Sequence, residues 1–155
     1  MIHYYFGFGK GKTSSAVGAG MRAAGAGLKV LFVQFLKNNK SSELNVLPFE
    51  VFDSPKELPF NPDYSYCAWV KNAVDFIKKS DCDMIILDEF ADLKEDFISS
   101  NDMIELLNLL SDKEVIITGH NEKQFLTAVC DYVTFFEKVK HPYDKGVNAR
   151  KGIEY

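Results

Sequence analysis

Phe6-Gly7-Phe8-Gly9-Lys10-Gly11-Lys12-Thr13 follows a short apolar run, 2–6, and opens an Ala- and Gly-rich run, 12–26. An apolar run too short for a helix that feeds into glycine reads as a buried strand. Strand, glycine-rich turn and helix in direct succession make a P-loop, in which successive backbone N–H groups curl round an anion at the positive end of the helix. Nucleotide phosphates are therefore expected against Gly7, Phe8, Gly9, Lys10, Gly11, Lys12, Thr13 and Ser14. Lys12 can reach along the phosphates, and the Thr13 hydroxyl can ligate Mg²⁺. Against the pattern G-x-x-x-x-G-K-[ST], Phe6 stands where the first glycine belongs and Gly7 comes one place late.

Gly18, Gly20 and Gly25 fall within the helix that this loop starts. Each costs up to about 1 kcal/mol relative to alanine, so close approach to a sheet is the expected compensation. Beyond Gly27, the run 29–35 is apolar enough for a strand buried on both faces. The polar stretch 37–42 is its exit loop, where an open α/β sheet takes its ligand. A short strand is expected over 48–52, and Pro55, Pro59 and Pro62 break 54–62 into a surface loop. Tyr66, Trp69, Val70, Ala73, Val74 and Ile77 recur at three- and four-residue spacings, which predicts an amphipathic helix over 63–79 with these side chains turned to the core.

A second chemical signal lies at 83–89, an apolar strand ending in Asp88 and Glu89. This fits the Walker B pattern, in which a strand end delivers a carboxylate beside the phosphate-bound Mg²⁺. Asn101-Asp102 is expected to cap a helix over 103–110, and 114–118 to be a buried strand leaving through Gly119-His120-Asn121. A short helix over 122–129 and a last strand over 132–139 complete the pattern. Strands alternating with helices predict one α/β domain over 1–155, with a mostly parallel sheet, helices on both faces and the ligand over the strands' C-terminal ends.

A net charge of -4 disfavours a general nucleic-acid surface, because phosphate-backbone binders carry a basic excess. Locally, Lys138, Lys140, Lys145, Arg150 and Lys151 meet only Glu137 and Asp144, so the tail could face an anion, although on charge alone a solvated tail accounts for it. The odd, widely spaced Cys67, Cys82 and Cys130 argue against a disulfide framework or a zinc site and for reduced thiols in the cytoplasm. No run approaches the length of a membrane span, and no leader pattern precedes the loop. A soluble, unprocessed protein with no membrane partner is expected.

Gly7 to Thr13, Leu28-Lys29-Val30 with Val33-Gln34-Phe35-Leu36-Lys37, Leu87-Asp88-Glu89, Thr118-Gly119-His120-Asn121 and the terminal run 139–155 together resemble the P-loop ATP:corrinoid adenosyltransferases. The late-starting loop with its doubled Gly-Lys is similar to that family's own loop. The resemblance implies a RecA-like P-loop NTPase sheet, usually as a homodimer, and transfer of the 5′-deoxyadenosyl group of ATP to the cobalt of a reduced corrinoid, with release of triphosphate. It makes Lys12, Thr13 and Glu89 catalytic, Thr13 with Asp88 or Glu89 the Mg²⁺ ligands, and a reduced flavin or flavoprotein the electron donor. It points to aromatic side chains for the corrinoid, with Phe60, Tyr64, Tyr66 and Trp69 as candidates. The chain departs from the family at 54–62, where a longer segment with a Gly-Phe-x-Trp-like stretch is usual. Phe8 stands where Asn is usual, His120 where Arg is usual, and the sequence opens at its first strand where many relatives carry a leading segment.

Two other readings share the loop. A small kinase or ATPase would commonly use arginines on the transferred phosphoryl group, and the chain offers only Arg22 and Arg150. A nucleotide-dependent binding module without turnover would use the same phosphate site.

Overall fold

The computed structural model describes residues 1–38, 41–55 and 64–154, except for the side chain of Tyr64. The proline-broken segment 56–62, Phe60 included, lies outside the described residues. Within them, β1 (Ile2–Phe6) runs into the glycine loop and α1 (Lys12–Gly25), followed by β2 (Val30–Gln34), β3 (Glu50–Phe52) and α2 (Tyr64–Lys79). Then come β4 (Met84–Asp88), α3 (Ser100–Leu109), β5 (Glu114–Thr118), α4 (Gln124–Val129) and β6 (Tyr132–Phe135).

The strands form one six-stranded sheet in the order β3-β2-β4-β5-β1-β6, and every pair is parallel. This is the parallel α/β sheet that the alternating pattern predicts and the RecA-like P-loop arrangement that the resemblance implies, with β5 inserted between the loop strand and the acid strand. Val-Leu-Phe-Val-Gln in β2 and Met-Ile-Ile-Leu-Asp in β4 are buried at every position, as strands covered on both faces must be. Because all strands run the same way, Phe6, Gln34, Asp88 and Thr118 end on one edge. The fold thereby gathers its polar strand ends in one place.

One face is covered by α1, whose Ala16 and Gly20 are buried in the cluster of Val30, Phe32, Met84, Ile86 and Ile116. The other face is covered by α2, α3 and α4, through Tyr66, Val70, Ala73 and Ile77, then Met103, Leu106 and Leu107, then Leu126. Close packing explains only one of the glycines in α1. A Cβ on Gly20 would sit 2.8 Å from Ile86 Cδ1, whereas one on Gly18 or Gly25 would meet nothing within 4 Å among the described residues.

Local signals moved several boundaries. Ser99, not Asn101 or Asp102, caps α3: its Oγ accepts from the Asp102 backbone N–H at 3.1 Å, so the helix starts at Ser100. The Tyr4 hydroxyl donates to the Asn121 carbonyl at 2.7 Å and accepts from the Lys123 N–H, holding 121–123 in a turn and delaying α4 to Gln124. β6 ends at Phe135, because Phe136 turns across the glycine loop and takes the Gly9 N–H on its carbonyl at 2.8 Å. β1 is only half-buried: His3, Tyr5 and Phe6 are partly exposed, with Tyr5 packed against the α1-side cluster and Phe6 against the opposite one.

Candidate active site

The glycine loop is shaped by what crosses it. Gly7 has φ 116°, in the left-handed region, and a Cβ there would lie 2.3 Å from the Phe136 carbonyl oxygen. At Gly9 the same atom would lie 2.6 Å from the carbonyl oxygen of Glu137. Only glycine lets the 136–137 crossing and the loop pass this closely. Gly11, at φ 118°, turns the chain into α1. The Lys12 ammonium donates to the carbonyls of Gly7 at 2.6 Å and Gly9 at 3.1 Å, so the lysine spans its own loop. Burial pulls the Lys12 pKa down, against the opposing pull of Asp92, Glu89 and Asp88.

Asp88 ends β4 fully buried. Its Oδ1 accepts from Thr13 Oγ1 at 2.9 Å and Thr118 Oγ1 at 2.8 Å, and its Oδ2 from Gln34 Nε2 at 3.0 Å and Lys37 Nζ at 3.4 Å. A buried carboxylate tolerates such a position only when its lone pairs are taken. Loop, acid strand, β2 and β5 thus close on one group. Gln34 Oε1, on the far side of the same amide, is the one buried side-chain polar atom without a partner among the described residues.

Glu89 turns away in the left-handed region at φ 58°. Its backbone N–H donates to Thr118 Oγ1 at 2.8 Å, and its carboxylate meets Lys37 Nζ at 3.3 Å. Burial raises the Glu89 pKa and the Asp88 charge adds to this, while Lys37 and His120 oppose it. The Lys37 pKa is raised: burial works against the charge, and Asp88 and Glu89 together outweigh it. Beyond Glu89, Asp92 receives the His120 backbone N–H at 2.9 and 3.1 Å and the His120 Nδ1 at 2.7 Å.

These groups line a cleft of ≈ 230 Å³ walled by residues 8–14, Glu89, Thr118 and His120, with His141, Ile153 and Glu154 of the tail on its far side. The tail is joined to the loop: Lys10 Nζ donates to the Ile153 carbonyl at 2.7 Å and pairs with Glu154 at 3.0 Å. A neighbouring cleft of ≈ 500 Å³ shares Thr13, Ser14, Ile153 and Glu154 and continues over Val17, Gly18, Lys37, Glu43 and Val46.

Of the residues singled out in the sequence, Phe8 to Ser14 and Glu89 meet in the first cleft, with Asp88 buried beneath Thr13. Trp69 is not in either cleft wall. Its ring packs against Phe35, Phe52 and Tyr66, and its Nε1 donates to the Asp53 carbonyl at 3.0 Å. Tyr66 is core, with its hydroxyl accepting the Leu36 N–H at 2.6 Å, so the start of α2 stands at the same sheet edge as the clefts. Phe60 and the side chain of Tyr64 lie outside the described residues. Lys37 opens the exit loop 37–42 expected beside the ligand, whereas Gln34, Asp92 and Thr118 carry no site role in the sequence reading. Gln34 is the polar interruption in an apolar strand and Thr118 a hydroxyl at a strand end, but nothing local marks Asp92.

The model of the family ATP:corrinoid adenosyltransferase BtuR/CobO/CobP matches residues 1–155. The corrinoid adenosyltransferase of Escherichia coli (strain K12) is 33% identical over 167 residues, spanning 100% of this chain and 85% of its own. Corrinoid adenosyltransferase CobA of Salmonella typhimurium (strain LT2) is 32% identical over the same shares, and the Pseudomonas aeruginosa corrinoid adenosyltransferase is 29% identical over 96% of this chain and 80% of its own. With the family model matching residues 1–155 and relatives alike over the length of the chain, on a parallel sheet that brings a glycine loop beside an acid-ended strand, this chain belongs to the ATP:corrinoid adenosyltransferase family.

Proposed function

We propose that the cleft over Gly7 to Ser14 holds the triphosphate of ATP as a leaving group and turns C5′ of the ribose toward a reduced corrinoid. The observation that carries this is the joining of Lys12, Thr13, Asp88 and Glu89 at one sheet edge, under an anion-sized cleft. Cobalt in the Co(I) state forms the bond to C5′, the C5′–O bond breaks, and its electron pair leaves with the triphosphate. No general base is needed. Donors aimed at the leaving group act where negative charge grows, which is where removing one costs about 10²–10³ in rate. Here the donors are the loop N–H groups other than those of Gly7 and Gly9, which the His120 and Phe136 carbonyls take, together with Lys12, which must leave the Gly7 and Gly9 carbonyls to reach the phosphates.

The donor set fits Mg²⁺, which takes oxygen ligands and keeps several waters. Thr13 would hold it together with Glu89 or Asp88, directly or through water, and Gln34 Oε1 is a buried acceptor in need of a donor. Bound there, it would neutralise charge on the departing triphosphate. The corrinoid is assigned to Phe60, Tyr64 and Trp69. A reduced flavin or flavoprotein supplies the electron that makes Co(I), and the enzyme works as a cytoplasmic homodimer. No described helix is long and apolar enough to cross a membrane.

The test is anaerobic incubation with Mg-ATP and a chemically reduced corrinoid, followed by identification of the phosphate product. Triphosphate with a light-sensitive adenosylated corrinoid is expected. ADP and phosphate would overturn the reading in favour of phosphoryl transfer, and tight binding without turnover would favour a binding module. Lys12→Ala should lose nucleotide affinity and turnover together.

A further inference from the structure

His120 stands in the cleft as a group held for a purpose that the loop and the Walker B acids do not explain. Asp92 grips it twice, through the backbone N–H and through Nδ1 at 2.7 Å, which leaves Nε2 as the ring's remaining hydrogen-bonding atom. Phe8 lies across the ring, with centroids 5.8 Å apart. The backbone is fixed as well. The His120 carbonyl accepts the Gly7 N–H at 2.9 Å, and Gly119 passes so close to Ala91 that a Cβ would come within 2.7 Å of it. The imidazole is thus oriented from three sides beside the same cleft that Gly9 to Ser14 line.

We propose that His120 is a triphosphate-contacting residue, donating from Nε2 to the anion bound over the glycine loop while Asp92 holds Nδ1. The assignment takes the anion as triphosphate from the adenosyltransferase reading and requires nothing of the corrinoid. A neutral imidazole with its proton on Nδ1 would present a lone pair to the phosphates, whereas imidazolium donates from both nitrogens. The Asp92 hydrogen bond raises the His120 pKa, with Asp92 and Glu89 charges helping and burial and Lys12 opposing. The other titratable groups around the ring are Lys10 and Lys12 on the loop side, Glu89 at the end of β4 with its partner Lys37, and His141 and Glu154 of the tail. Anion binding adds negative charge to this setting and favours the imidazolium further. Contact therefore strengthens as pH falls.

The experiment is calorimetric titration of inorganic triphosphate, without corrinoid, from about pH 6 to about pH 9. At the acid end His120→Gln should bind about tenfold more weakly than the native protein, as loss of a hydrogen bond to a charged group predicts. The native curve should fall toward that of the Gln variant as pH rises. His120→Arg should keep the affinity and lose the convergence, and Asp92→Asn should move the convergence to lower pH. In the unsubstituted protein, the His120 imidazole pKa followed by NMR should rise on adding triphosphate. Superimposable native and Gln profiles, an Arg variant as weak as Gln, or an imidazole pKa indifferent to triphosphate would each overturn the proposal. Failure of adenosyl transfer with His120-dependent triphosphate binding intact would count against the reaction and leave this contact standing.

Discussion

Thr13 and Asp88, 75 residues apart, meet at 2.9 Å, the hydroxyl donating to the carboxylate. The bond ties the first turn of α1 to the end of β4, so the P-loop and the acid strand are joined within the protein itself. Since Thr118, Gln34 and Lys37 donate to the same buried group, Asp88 is a structural hub as well as a site residue.

Asp88→Asn places an NH₂ against donors that need an acceptor and removes the charge facing Lys37. Breaking such a buried, charge-assisted set costs about 3 kcal/mol. A urea titration should show a lowered midpoint with an unchanged slope. A midpoint equal to that of the native protein would contradict the hub.

What the sequence disclosed and what it hid separate along this same bond. Both ends were legible: Thr13 by its place after Gly-Lys, and Asp88 by the apolar strand before it. Their convergence on one ion was expected from the Walker B pattern and the resemblance; the direct hydrogen bond between them was not legible, because it depends on β5 lying between β1 and β4, and strand order is a product of tertiary packing. Gln34 and Thr118 became site residues for the same reason, as neighbours of Asp88 across strands. Asp92 carries no local signal at all; it matters because Gly119 brings the end of β5 against residues 91–92. The Ser99 cap was readable in principle, since Ser99 and Asp102 have the S-x-x-D spacing of a capping box.

The glycines of α1 allow a paired test. Gly18→Ala and Gly20→Ala gain the same helix propensity, up to about 1 kcal/mol each. Only at Gly20 does the new methyl meet Ile86 Cδ1 at 2.8 Å and Phe49 Cζ at 3.1 Å. Gly20→Ala should therefore be less stable than Gly18→Ala by about 1–3 kcal/mol, the range for overpacking. Ile86→Val removes the clashing carbon. In a double-mutant cycle by urea denaturation, Ile86→Val should cost less in the Gly20→Ala background than in the native protein, and strict additivity would refute the contact.

The Asp92–His120 pair predicts a pH window of stability. Asp92 is held below its usual value of 3.8: burial pushes it up, and the His120 hydrogen bonds outweigh that. Its contribution is present above 3.8 and lost as pH falls through the lowered value. His120 is raised above 6.5 by the same bond, so its contribution is complete below 6.5 and lost as pH rises through the raised value. The stability difference between native protein and Asp92→Asn should thus be full between 3.8 and 6.5 and shrink on the alkaline side. With the imidazole 43% exposed, the pH-dependent part stays under about 1 kcal/mol. Thermal unfolding at about pH 5.5 and about pH 8.5 measures it, and a difference unchanged between them would contradict the pair.

Glu154 gives the tail a measurable effect on the loop. Its carboxylate is held down at about pKa 2 by Arg150 and Lys10, so it stays ionised at any working pH. It pairs with Lys10 at 3.0 Å and Arg150 at 3.0 Å, so a triphosphate must share Lys10 with a fixed anion in the cleft wall. Glu154→Gln should tighten triphosphate binding by up to about fivefold at low salt, the reach of an exposed ion pair. The gain should fade as the screening length shortens to about 10 Å at 0.1 M salt. Arg150→Ala should weaken binding under either of two accounts: direct contact with phosphate, or release of Glu154 onto Lys10. The double variant separates them. If Arg150 acts only by restraining Glu154, Arg150→Ala adds nothing once Glu154→Gln is present, whereas a direct contact leaves the double variant weaker than Glu154→Gln alone. The observed engagement of the guanidinium with Glu154 favours the first outcome, in which the tail sets the charge that Lys10 offers to the phosphates.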